Sequence, residues 1–180
     1  MVGAMATYAN KGVHITPMFI THITDKNGNL IEAFLPEQNE AMNEESAYLM
    51  LQLMKGVVES GTGRRLQFRY NFNHPIAGKT GTTQNNSDGW FIGISPDLAG
   101  GVWVGAEVRG VRFRTLTLGQ GANMALPIWA EFMQRVYADP ELNISKDDFE
   151  APARPLSVET DCDKYQQRRS SRDYFRQDIF

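Results

Sequence analysis

The segment Ala77-Gly-Lys-Thr-Gly-Thr-Thr83 concentrates residue types that have a chemical use. On a strand edge, Lys79 presents a fixed positive charge, and the hydroxyls of Thr80 and Thr82 can donate hydrogen bonds to a carboxylate. Gly81 has no side chain, so an extended ligand backbone can lie against the strand. If the strand borders an acyl-transfer centre, the backbone N–H of Thr82 can stabilise an oxyanion. A phosphate-binding P-loop is the rival, because its motif also ends in Gly-Lys-Thr. That motif needs a glycine just upstream and a helix directly after. Residues 74–77 are His-Pro-Ile-Ala, and Thr83 is followed by a polar turn and an apolar strand pattern, so the P-loop reading fails on both counts.

No nucleophile accompanies this strand. None of Ser46, Ser60, Ser87, Ser95, Ser145, Ser157, Ser170 and Ser171 has a lysine three positions on or an asparagine two positions on. The single cysteine, Cys162, sits in Glu159-Thr-Asp-Cys-Asp163, where neighbouring carboxylates disfavour the thiolate. His14, His22 and His74 are too scattered for a metal-binding spacing, and one cysteine cannot build a zinc site or an internal disulfide. No cofactor or metal is expected.

The elements that must hold the strand are read from periodicity. Residues 1–11 predict the end of a helix, stopped at Gly12. Residues 18–24 and 30–35 predict a hairpin about the turn Asp25-Lys-Asn-Gly28. Asn43 is an expected N-cap, with Glu44 and Glu45 in the first turn of a helix over 43–59. Its expected apolar face is Ala47, Met50, Leu51, Met54, Val57 and Val58, with the methionines read as core filling. Strands are predicted over 75–83, 90–95 and 102–108; their short connections make them antiparallel neighbours in a β-meander. Gly93 and Gly105, inside strands, mark close approach by another element. Residues 109–121 read as a loop whose Arg109, Arg112 and Arg114 form a solvated face. A last helix over 123–138 is expected to start at Asn123, tolerate Pro127 in its first turn, and lay Ala125, Ile128, Trp129, Phe132, Met133, Val136 and Tyr137 across the meander. The predicted class is α+β, an antiparallel meander flanked by helices, over residues 1–138. Residues 139–180 form a polar extension of low intrinsic order, its Arg168-Arg169 pair solvated and its scattered aromatics able to dock loosely.

At 180 residues, 42% hydrophobic and 22% charged, the chain has the composition of one globular domain. A net charge of −3 gives no basic stripe for a nucleic-acid partner. No apolar run approaches the ~18 residues of a membrane span, and residues 1–8 lack the pattern of a signal peptide.

Lys79-Thr-Gly81 is a signature of penicillin-binding proteins and serine β-lactamases. Its setting is more specific. The strings Gly78-Lys-Thr-Gly-Thr-Thr83, Asp88-Gly-Trp-Phe-Ile-Gly93 and Val102-Trp-Val-Gly105 resemble bifunctional, class A penicillin-binding proteins. So do Tyr8-Ala-Asn-Lys-Gly12, Val57-Val-Glu-Ser-Gly-Thr-Gly63 and Ala125-Leu-Pro-Ile-Trp129, in the same order. The likeness runs over about residues 1–138. It implies a portion of a D,D-transpeptidase that joins peptidoglycan stem peptides through a serine acyl-enzyme and binds β-lactams. It also implies that Thr80 and Thr82 hold a terminal carboxylate, that Lys79 orients a neighbouring hydroxyl, and that the Thr82 amide helps an oxyanion hole. The family's Ser-x-x-Lys and Ser-x-Asn motifs precede Lys-Thr-Gly, so they are expected before Met1, as are a glycosyltransferase domain and a membrane anchor. The expected setting is the bacterial cell envelope, at the outer face of the cytoplasmic membrane. Expected partners are stem peptides, β-lactams and the upstream part of the same domain. Taken alone, the chain is expected to be inactive and to expose apolar surface through which it can dimerise, swap elements or pack as if across an intramolecular interface. Two other readings stand beside this one: a serine β-lactamase-like hydrolase, and a binding or scaffold domain that has lost its nucleophile.

Overall fold

A computed structural model describes residues 1–166. The Arg168-Arg169 pair, Ser170 and Ser171 and the last aromatics of the extension lie outside the described residues. Helix α1 (Val2–Ala9) ends where Lys11 and Gly12 take positive φ, 53° and 89°. Only glycine fits at position 12, because an added Cβ would lie 2.1 Å from the Met42 carbonyl oxygen. Strands β1 (Val13–Ile15) and β4 (Gln38–Glu40) pair antiparallel and carry between them the hairpin of β2 (His22–Thr24) and β3 (Leu30–Ala33). The hairpin turn is the expected one: Asp25 accepts from the Asn27 and Asn29 amides at 2.8 and 2.9 Å, and Gly28 takes φ 87°. Residues 18–21 are not strand, which shortens the predicted 18–24, and the return strand ends at Ala33 rather than 35.

Helix α2 (Glu44–Glu59) starts as its sequence dictates, with the Asn43 side chain accepting from the Ser46 amide at 2.8 Å. Its buried face is Ala47, Leu51, Met54 and Val58; Met50 and Val57, placed on that face by period alone, are only partly covered. A short helix α3 (Arg65–Tyr70) follows, in a stretch where no element was predicted.

The expected meander is present: β5 (Ala77–Thr82), β6 (Asp88–Ile94) and β7 (Ala99–Gly105) form an antiparallel sheet in that order. The third strand begins three residues earlier than the predicted 102–108, because Ala99, Gly100 and Gly101 pair with Ile94, Gly93 and Ile92. The predicted loop 109–121 contains a one-turn helix, α4 (Leu116–Gly119). The last helix is broken into α5 (Gly121–Met124) and α6 (Leu126–Ala138), with Pro127 in the first turn of α6. Asn123 is therefore not a cap: it lies inside α5, where its side-chain amide donates to the Thr117 carbonyl. Of the predicted face on α6, Trp129, Met133 and Val136 are buried, whereas Ile128 and Phe132 are half exposed.

One core lies between α6 and the sheet, where Trp129 packs edge-on against Phe91 at 5.3 Å in a cluster that includes Val58, Leu66, Ile76 and Met133. Gly93 admits it, since a Cβ there would sit 2.3 Å from the indole ring; this is the close approach that its position in a strand implies. At Gly105 the close approach is more local: the crowding atoms belong to Trp103 of its own strand and to Asp88 of the paired strand β6. A second core, on the other face, joins Leu51 and Met54 of α2 to Ala77, Ile94 and Met5. Phe149 of the extension is buried in it, and flanking ion pairs tie Asp148 to Lys55 (2.6 Å) and Glu150 to Lys11 (2.8 Å).

Candidate active site

Strand β5 lies at one edge of its sheet, with no strand along its outer side among the described residues. In an antiparallel ladder alternate residues bond to the neighbour. The Thr83 amide donates to Asp88 O at 3.1 Å, which fixes the phase: Lys79 and Gly81 bond to β6, and the N–H and C=O of Thr80 and Thr82 point to the open side. Side chains alternate as well, so Thr80 and Thr82 share one face with Gly78, and Lys79 points to the other. Gly78 lets α2 close on the strand, for a Cβ there would meet Val58 at 3.2 Å and Phe91 at 3.1 Å.

The structure adds two groups to the strand. The Thr62 hydroxyl, in the Gly61-Thr-Gly63 turn after α2, shares a 2.7 Å hydrogen bond with the Thr80 hydroxyl. The Gly121 amide donates to the Thr82 hydroxyl at 3.1 Å, which leaves the Thr82 proton free to be given outward. Gly121 is confined by this closeness, since a Cβ would lie 2.3 Å from both the Gly81 and Trp90 carbonyl oxygens. Arg65 then ties the two sides of the site together, its guanidinium donating to Ala122 O at 3.3 Å. Sequence reasoning missed Thr62, Arg65 and Gly121 as parts of the site. The only signal was the punctuation: Gly61-Thr-Gly63 and Gly119-Gln-Gly121 both place glycines where backbone must come close.

Lys79 is exposed, and its ammonium donates to Thr80 O at 2.6 Å. It thus folds back over the open side of the strand. Gly81 would meet only Trp90 if it carried a Cβ, at 3.2 Å. Among the described residues no serine hydroxyl shares a hydrogen bond with a lysine or histidine: Ser60 donates to Gly56 O, and the Ser87 and Ser95 hydroxyls are spent within turns. No group of three or more metal-binding side chains occurs among them either.

The arrangement is a strand edge that offers outward amides, two oriented hydroxyls and one ammonium. Such an edge has donors suited to an extended peptide with a carboxylate, and no serine hydroxyl is paired with a lysine or histidine among the described residues.

Comparison with known proteins agrees with the residue pattern. The family model of the penicillin binding protein transpeptidase domain matches residues 1–127. Penicillin-binding protein 1A of Aquifex aeolicus is 34% identical over 161 residues, covering 88% of this chain and 20% of that protein. Penicillin-binding protein 1A of Neisseria meningitidis serogroup A is 33% identical over 136 residues, covering 73% and 16%. The chain thus spans about a fifth of the length of these curated relatives. Among solved structures, penicillin-binding protein 1A from Haemophilus influenzae superposes with a TM-score of 0.68 at 20% identity, over 87% of this chain and 27% of that one. Penicillin-binding protein A from M. tuberculosis, solved as an imipenem acyl-enzyme complex, gives 0.56 at 23% identity, over 74% and 29%. These two likenesses speak to the fold. With the family match over most of its length, the chain belongs to the penicillin-binding protein transpeptidase domain family.

Proposed function

We propose that this chain is the C-terminal portion of a peptidoglycan D,D-transpeptidase and supplies one wall of its active site. The observation that carries the reading is the open edge of β5, where the Thr80 and Thr82 hydroxyls are held by Thr62 and Gly121. In this reading Thr80 and Thr82 take the terminal carboxylate of a stem peptide or a β-lactam. The Thr82 N–H, directed to the open side, donates to the oxyanion of the tetrahedral intermediate. Gly81 keeps the strand low so that the peptide backbone can lie on it. Lys79 supplies positive charge beside the carboxylate and orients a hydroxyl from another segment.

The chemistry is serine acyl transfer. A serine oxygen attacks the carbonyl between the two terminal D-alanines, its proton passes to a base, and the amide bond breaks as D-alanine leaves. An amine from a second stem peptide then attacks the ester, which forms the cross-link and returns the serine. The nucleophile comes from a part of the protein that precedes this sequence, together with the other walls of the cleft. Membership of the transpeptidase domain family supports the class of chemistry. No helix of the described residues is long and apolar enough to cross a membrane, so attachment at the outer face of the cytoplasmic membrane is assigned to the same preceding part. The exposed Phe19 and Leu35 support a further surface packed on this chain in the whole protein, and self-association without it.

Intact-mass analysis after incubation with benzylpenicillin tests the proposal. The 180-residue chain should gain no mass, and the whole protein should gain one penicilloyl group on a serine outside these residues. An adduct on a serine of this chain, or none on the whole protein, contradicts it.

A further inference from the structure

Beyond Thr82 the chain does not simply enter solvent. A cleft of about 560 Å³ opens at the end of β5, lined by Thr82 and Gln84 on one side and by Arg109 and Arg112 on the other. Its walls are fixed to each other. The Phe113 amide donates to Asn86 O at 3.3 Å, which joins the arginine loop to the β5–β6 turn. Asn85 and Asn86 hold that turn in the left-handed region, φ 60° and 56°. Gly119 of α4 is wedged against both, since a Cβ there would lie 2.4 Å from the Asn86 Cβ and 3.0 Å from the Phe113 Cβ.

The charge is one-sided. No carboxylate lines the cleft, and among the described residues none forms an ion pair with Arg109 or Arg112. Two like charges three positions apart repel, and a guanidinium is shaped to take a carboxylate through paired N–H donors. Thr82 lines this cleft and also belongs to the proposed carboxylate site, so a ligand bound at one abuts the other. Strand geometry adds ~3.3 Å per residue, which puts the cleft one or two ligand residues further along.

We infer that this cleft is a second carboxylate subsite, in which Arg109 and Arg112 hold an acidic group of the peptide substrate other than the terminal carboxylate at Thr80 and Thr82. The inference rests on the transpeptidase reading. It turns a loop that composition alone leaves as a solvated face into part of substrate selection. The acidic group can belong to the acylating peptide or to the peptide that supplies the amine.

The test uses the whole protein and separates these sources. Benzylpenicillin and its carboxybenzyl analogue differ by one side-chain carboxylate. Their acylation rates are compared in the wild type, Arg112→Lys, and the double variant Arg109→Ala/Arg112→Ala. For the other source, acyl transfer from a thioester donor to D-alanine is compared with transfer to D-alaninamide. The double variant should lose about three- to tenfold in preference for the acidic member of one pair, the worth of a solvent-exposed charge contact. Arg112→Lys, which keeps the charge but not the paired donors, should lose less than the double variant, and added salt should mimic the loss. The pair that responds names the source. Unchanged preference in both pairs overturns the subsite. Benzylpenicillin acylation is the control: it should persist in every variant, and its absence from the wild type would count against the transpeptidase reading instead.

Discussion

The β5–β7 sheet and the β2–β3 arm are both antiparallel and both short, yet they solve opposite problems. In the sheet, strand residues are removed to admit neighbours: Gly93 receives Trp129, Gly78 receives Val58 and Gly121 comes down on the end of β5. Phe91, Ile94 and Trp129 are almost wholly buried as a result. In the arm, large apolar side chains stay in water, with Phe19 99% and Leu35 89% exposed. The first region is closely packed, and it holds the Thr80 and Thr82 hydroxyls through Thr62 and Gly121. The second is built on its turn and ladder, with its apolar residues left uncovered. A closely packed sheet and an arm with exposed apolar side chains therefore sit in one short chain.

The largest effect should come from filling the space that the sheet leaves open. Gly93→Val drives two methyl groups into the Trp129 ring, which has no free direction in which to move, and the chain should lose its cooperative thermal transition. Trp129→Ala removes the same contact from the other side and should cost about 3–5 kcal/mol, read as a lower denaturant midpoint. In the arm, Phe19→Ser or Leu35→Ser should shift that midpoint by less than about 0.5 kcal/mol while reducing self-association in sedimentation. A large loss of stability there would mean that the arm is part of the core after all, and the contrast between the two regions would fall.

How much of this was legible from residues follows the range of the interactions. The Asn43 cap is local, and both it and α2 stand where the sequence puts them. The meander was equally plain, because its three short strand runs are parted by turns. Helix α3 was hidden because only Leu66 of its six residues is buried, leaving no apolar period to detect. The split of the last helix was hidden because Gly121 looked like a loop residue, whereas its φ is ordinary and its smallness serves contact with Gly81 and Trp90. Of the site, the Lys79–Thr82 run was readable as chemistry from its types and spacing. Thr62 was not, since it meets Thr80 across 18 residues through the docking of α2.

That contact gives a sharper prediction on the closely packed side. In the whole protein, Thr62→Val frees the Thr80 hydroxyl from its partner and should slow benzylpenicillin acylation about three- to tenfold, the worth of one hydrogen bond. Thr62→Ser should restore the rate. An equal loss in both variants would mean that shape matters there and the hydroxyl does not.

The smallest effect concerns His74, at the far rim of the core, where its ring meets Tyr137 edge-on at 4.4 Å. Burial, and then the charge of Lys146, hold its pKa below the ordinary histidine value. The unfolded chain therefore binds the proton more readily, and stability falls as pH drops through the unfolded value near ~6.5. Thermal melting between pH 7.5 and 5.5 should show this slope, and His74→Phe should flatten it. A steeper slope in the variant would reverse the assignment.

The central claim is that β5 is a catalytic wall whose ammonium and hydroxyls act on a substrate held along its open edge. The most direct measurement is the second-order rate of acylation by benzylpenicillin in the whole protein carrying Lys79→Ala, with circular dichroism as the check on folding. Lys79 is exposed and its ammonium donates to Thr80 O of its own strand, so the fold should survive. The rate should drop by about 10²–10³-fold, as for the loss of one preorganised electrostatic group from an acyl-transfer site. A folded variant that is acylated at the wild-type rate would contradict the account.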